Sequence, residues 1–151
     1  LKNIFPMIIL SKYDALNVYQ LQKAIQNEAA CSNVCELCTE EQLDELTELV
    51  KTMKKSDKAD DQDNFLAADM RYHEVFVEIT RNPVLISIER CVTEIMRGPL
   101  RGCVYQSVRK ESILMHEKVL EGLKEKKPHD VYYWMGAHMC DVVGRLDKGC
   151  E

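Results

Sequence analysis

At 151 residues the chain has the length of one domain, enough for a core that buries about 70% of the surface its unfolded form exposes. A hydrophobic content of 46%, a charged content of 30%, six Gly and four Pro exclude a disordered chain and favour helix. The net charge of -5 argues against nucleic-acid binding by these residues, and no apolar run nears the roughly 20 residues that span a bilayer, so a soluble, cytoplasmic protein is expected.

The Lys-rich stretches Lys51 to Lys58 and Lys124 to Lys127 are flanked by Glu and Asp and read as helix ends or exposed turns. Seven cysteines, an odd number in a chain well supplied with Leu, Ile, Val and Met, read as reduced thiols. Cys31, Cys35 and Cys38 have the C-x3-C-x2-C spacing that can hold an iron–sulfur cluster, but the same spacing marks one face at the end of a helix. Small core residues explain it more simply.

Apolar positions recur at helical spacing almost throughout, and no segment alternates as a strand would. The fold class read from this is all-α, an antiparallel bundle of six to seven helices, with residues 1–12 as a lead segment and 13–151 as the helical domain. A first helix is expected from about Tyr13 to Cys35, with Val18, Leu21, Ile25 and Ala29 on one face. Thr39-Glu-Glu-Gln42 reads as a capping box that opens a second helix along Leu43, Leu46, Val50 and Met53. A third helix carries Leu66, Asp69, His73, Phe76 and Thr80 at spacings of three and four.

Asn82-Pro83 supplies a cap and a first-turn proline for a fourth helix through Leu85, Ile88, Val92 and Ile95. A fifth, beginning between Gly102 and Tyr105, aligns Ile113, His116, Leu120 and Leu123. Pro128 opens a sixth through Val131, Met135, His138, Val142 and Leu146. His129 lies about 200° around that helix from Val131 and falls outside the stripe.

Three histidines and an aspartate thus occupy core positions on three helices, where an unpaired polar group costs several kcal/mol. Asp69 and His73, one turn apart, can offer an oxygen and a nitrogen to one cation, and His116 and His138 can close the site from facing helices. Three neutral imidazoles and a carboxylate suit a divalent transition metal, Zn or Ni foremost, with Fe, Co and Mn also accommodated. Octahedral ions would keep open positions at which a small carboxylate can bind. Neither a zinc-protease His-Glu-x-x-His nor a Glu-x-x-His di-metal pair is present.

These residues resemble the FCD ligand-binding domain of FadR-type regulators in the GntR family of bacterial transcription factors. Asp69-Met-Arg-Tyr-His73 followed by Thr80-Arg-Asn-Pro-Val-Leu85 is similar to the family's D-x-x-F-H and T-x-N-x-x-L pattern, and His116-Glu-Lys-Val-Leu120 and Met135-Gly-Ala-His138 match its other histidine segments. The resemblance covers nearly the whole chain. It implies a helical bundle that holds a divalent metal on Asp69, His73, His116 and His138 and binds a small effector, often an organic acid, on or near it. Effector binding would then alter how an attached winged helix-turn-helix engages DNA, and a homodimer is expected because such regulators read paired half-sites.

Three departures from the family pattern bear on this. The winged helix-turn-helix has no counterpart in the chain, which starts at Leu1, so DNA binding is expected of a segment upstream. The family's first helix usually carries an arginine for the effector's carboxylate, and Gln22 stands there, an amide without the charged bidentate fork. Arg97 and Arg101 are the nearest candidate replacements, though they also read as exposed arginines near a helix end. Lastly, Lys127 occupies the place of a commonly acidic helix cap.

The leading expectation is a non-enzymatic metal- and effector-binding regulatory domain. Its rival is a mononuclear metalloenzyme, a hydrolase or an iron oxygenase, using the same four residues. That rival needs a general base, and Glu74 and Glu117, each following a ligand, point about 100° away from it. A metal-free helical interaction module is the third reading.

Overall fold

The computed structural model describes residues 12–97 and 105–148. Among them it has seven helices and no strand: α1 (Lys12–Cys31), α2 (Val34–Leu37), α3 (Glu40–Lys58), α4 (Gln62–Glu78), α5 (Pro83–Arg97), α6 (Tyr105–Lys124) and α7 (Pro128–Lys148). The all-α class read from the sequence is the one observed. None of the described helices is long and apolar enough to cross a membrane.

Helix starts follow local chemistry. Thr39 Oγ1 accepts from the Gln42 amide at 3.2 Å while Gln42 Oε1 accepts from the Thr39 amide at 3.1 Å, which satisfies two otherwise unpaired donors at the start of α3. Asp61 caps α4 by accepting from Asn64 N at 3.1 Å, and Asn82 Oδ1 caps α5 by accepting from Val84 N and Leu85 N. At the end of α6, Lys126 adopts a left-handed φ of 53°, and Lys127 N reaches back to the Gly122 carbonyl at 2.8 Å. Pro128, which has no N–H to leave unpaired, then starts α7.

α4 is the central rod of the bundle. Phe65, Ala68, Met70, Tyr72, His73, Val75, Phe76 and Val77 are all buried, which leaves little of the helix to solvent. It packs on α3, α5 and α1, while α7 packs on α1 and α6 and closes the bundle. Tyr72, Phe76, Leu46, Met53, Ile79, Met135 and Met139 are almost completely buried. Each such side chain contributes roughly 1.5–3 kcal/mol relative to exposure. α6 and α7 approach so closely that a Cβ on Gly122 would stand 2.9 Å from Val131 Cγ2.

Four expectations are corrected. The first helix stops at Cys31, where Ser32 N donates to both Glu28 O and Ala29 O and the chain turns at Asn33 before the short α2. Cys31, Cys35 and Cys38 therefore do not share one helical face: Cys31 is exposed, Cys35 is buried and Cys38 is half-buried. The buried residues of α1 are Ala15, Tyr19, Gln22, Ile25, Gln26, Ala29 and Ala30, so Ile25 and Ala29 lie inside as expected, whereas Leu21, also expected inside, is 45% exposed.

On α5 the buried positions are Glu89, Val92, Thr93 and Met96, whereas Ile88, read as core, is exposed. On both helices buried polar side chains, Gln22 and Gln26 on α1 and Glu89 and Thr93 on α5, share the inward face with apolar ones. The five cysteines among the described residues are free thiols, in line with the reduced reading.

Candidate metal centre

α4 brings Asp69 and His73 to the middle of the bundle, α6 brings His116, and α7 brings His138. One donor atom from each lies within 4.8 Å of the other three. His73 Nε2 is 3.3 Å from His116 Nε2 and 3.2 Å from His138 Nε2. All three imidazoles are buried, and Asp69 retains 20% side-chain exposure toward the pocket it lines.

Hydrogen bonding orients one of these rings. Ser112 Oγ donates to Asp69 Oδ1 at 3.2 Å and lies 3.3 Å from His116 Nδ1. A hydroxyl has a single proton, so with Asp69 ionised the serine accepts from His116 Nδ1–H, and Nε2 keeps its lone pair. The Tyr72 hydroxyl donates to the His116 carbonyl at 3.0 Å and fixes the backbone of that turn. His73 Nδ1 and His138 Nδ1 have no hydrogen-bond partner among the described residues.

The proton inventory bears on what the cluster can hold. His73 Nε2 carries either one proton or one lone pair, so it cannot donate to His116 and accept from His138 at once. With the His116 Nε2 lone pair directed inward as above, a lone pair on His73 Nε2 would meet it directly, whereas a proton there would bridge to it. Adjacent donors each about 2.1 Å from a common ion are separated by about 3.0–3.4 Å, and the two spacings from His73 Nε2, 3.3 and 3.2 Å, fall in that range.

The electrostatics agree. Burial lowers His73 and His116 well below the usual imidazole value, with the neighbouring imidazoles adding to the effect, and lowers His138 to about 4 against the opposing pull of Asp141. All three are neutral bases at pH 7. Burial raises Asp69 to about 7, with the Ser112 hydrogen bond opposing the rise.

A pocket opens beside the cluster, walled by Tyr19, Gln22, Asp69, His73, Arg109 and His138. Gln22 is thus brought to the site. Arg97 is not among the lining residues: its guanidinium lies at the surface against Glu94 at 3.0 Å and Glu74 at 3.3 Å. Arg101 falls outside the described residues.

Sequence reasoning passed over Arg109, Ser112 and Glu89. Ser112 precedes His116 by four residues as Asp69 precedes His73, and Arg109 lies one turn earlier, so helical spacing carried a signal for both. Arg109 is positioned by Asp60 at 2.6 Å and Asp57 at 3.6 Å.

The sequence matches the FCD domain over residues 17–141. That match spans most of the chain, which belongs to the FCD domain family. Among solved structures it is similar to Streptococcus agalactiae GntR, with 18% identity, a TM-score of 0.73 and coverage of 92% of this chain and 62% of that one. It is also similar to E. coli McbR/YncC, with 16% identity, a TM-score of 0.76 and coverage of 89% and 65%.

A third similar structure is described by the statement that Lar controls the expression of the Listeria monocytogenes agr system and mediates virulence, with 13% identity, a TM-score of 0.79 and coverage of 93% and 66%. At these identities the likeness establishes the fold, and the chain spans about two thirds of those proteins' length. No match is found among curated protein sequences.

Proposed function

We propose that this chain is the effector-sensing domain of a GntR-type transcriptional regulator, which holds a divalent metal on Asp69, His73, His116 and His138 and binds a small carboxylate beside it. The observation that carries the reading is the convergence of three buried, neutral imidazole nitrogens and a carboxylate on one point next to an open pocket. Membership of the FCD family and the likeness to a GntR protein support the regulatory role.

DNA would be engaged through a separate domain of a homodimer. The carboxylate would reach the cluster from the pocket side, where Asp69 keeps its exposed edge. An effector acts here by population shift: it must bind one arrangement of the bundle better than another, and it moves the equilibrium by that difference.

The metalloenzyme alternative would need a base beside the metal, and the two glutamates that follow ligands are engaged elsewhere. Glu74 is bound to Arg71 and Arg97, and Glu117 is paired with Lys54. Calorimetric titration of the zinc-loaded and zinc-free chain with a panel of small carboxylates tests the reading. Binding only to the loaded chain, with no acid consumed, is expected; binding independent of metal, or turnover lost with it, contradicts it.

A further inference from the structure

A buried carboxyl lies one layer behind the pocket. Glu89 on α5 is 1% exposed, and its Oε1 accepts from Gln26 Nε2 at 2.9 Å and from Gln22 Nε2 at 3.2 Å. Gln26 Nε2 also donates to the His73 carbonyl at 3.3 Å, an oxygen that can only accept, so the amide orientation of Gln26 is fixed from a second side. The pair of hydrogen bonds ties α1 to α5 and to the helix that carries Asp69 and His73.

Gln22 is the member of this group that reaches the pocket wall. Its N–H side is turned to Glu89. Gln26 differs, since its oxygen is sealed in the core without a partner.

We propose that Glu89 holds the Gln22 amide with its carbonyl oxygen toward the pocket, so that the site selects acids that also carry a hydroxyl or ammonium donor. An arginine at this position would offer only donors and suit a second carboxylate; the tethered glutamine offers the opposite polarity. The pocket is tight. Its space open to the centre of a water molecule is about 40 Å³, room for roughly three waters and so for an acid of a few carbons.

This inference rests on the effector reading above. It is tested by titrating the zinc-loaded chain with propanoate and with 2-hydroxypropanoate, which differ by one hydroxyl. A hydroxyl can also ligate the metal, so the informative quantity is the ratio of the two affinities in wild type against Gln22→Met. Loss of one buried hydrogen bond should reduce that ratio about tenfold. Glu89→Gln, whose side chain can donate as well as accept and so frees the Gln22 amide to turn, should reduce it too; it provides the same reading if Gln22→Met does not fold.

An unchanged ratio in the folded variants overturns this inference and leaves the effector reading standing. If zinc-loaded wild type binds neither acid nor any other of the panel of small carboxylates, the effector reading itself fails, and this one with it.

Discussion

His73 Nε2 and His138 Nε2, 65 residues apart in sequence, lie 3.2 Å from each other with their rings stacked at an interplanar angle of 11°. Burial keeps both rings neutral, so each brings a basic nitrogen and no positive charge to the same point. A cation between them would replace that contact with two coordinate bonds. Metal should accordingly stabilise the fold, by roughly 2.7 kcal/mol at a free concentration one hundred times the Kd. Thermal melts with and without added zinc should show a clear rise in Tm for wild type and little or none for His138→Ala.

Metal affinity should depend on pH through Asp69 alone. Its folded value of about 7 means that a proton occupies the carboxyl below neutrality and must leave when metal binds, whereas His138, at about 4, and the still more strongly lowered His73 and His116 release none between pH 5 and 7. Chelator competition should show affinity falling about tenfold per pH unit below pH 7. Asp69→Asn should bind more weakly and with a nearly flat profile over that range.

Glu89 makes a separate prediction for the metal-free chain. Burial raises its carboxyl from the ordinary 4.5 to about 7, with the hydrogen bonds from Gln22 and Gln26 opposing the rise. The folded state therefore binds this proton more tightly than the unfolded one. The resulting stabilisation is complete below pH 4.5 and disappears as pH rises through 7. Its size is on the order of 3 kcal/mol. Denaturant titrations at pH 5 and pH 8 should show a smaller loss for Glu89→Gln than for wild type, and the variant should be the more stable of the two at pH 8.

Gly122, at the α6–α7 contact, and Gly144, in open space on α7, carry opposite expectations. Gly122→Ala drives a methyl against Val131 Cγ2 at 2.9 Å and Val131 N at 3.2 Å, and overpacking of this kind costs about 1–3 kcal/mol. Gly144, in α7, has nothing within 4 Å of an added Cβ, so Gly144→Ala should stabilise by up to about 1 kcal/mol through helix propensity. Urea midpoints of the two variants should move in opposite directions.

The parts of the fold legible in sequence were those set by local chemistry or by a strongly apolar stripe. The capping box at Thr39, the cap at Asn82 and the proline start of α7 are present, and so is the inward stripe of Val131, Met135, His138, Val142 and Leu146. Asp69, His73, His116 and His138 stood out because each interrupted such a stripe, and His129 is exposed as its angle around the helix required.

What the sequence hid was polar burial that is satisfied across helices. Gln22 and Gln26 on α1 are held in the core by Glu89 on α5, a partner more than 60 residues away, and Gln26 also by the His73 carbonyl, so a hydrophobic pattern alone gives no sign that they are buried. The same cause put Leu21 and Ile88 on the wrong face. Positions 85, 89, 92 and 96 do form a three-four series, and a carboxylate inside such a series was the available sign.

The central claim is that four named side chains hold one metal ion, and stoichiometric elemental analysis tests it most directly. Wild type and His129→Ala, whose imidazole is exposed on α7 away from the cluster, should each retain one divalent ion per chain after exhaustive dialysis. Asp69→Ala, His73→Ala, His116→Ala and His138→Ala should each lose it while remaining helical by circular dichroism. Retention of one ion per chain by all four folded variants would contradict the assignment.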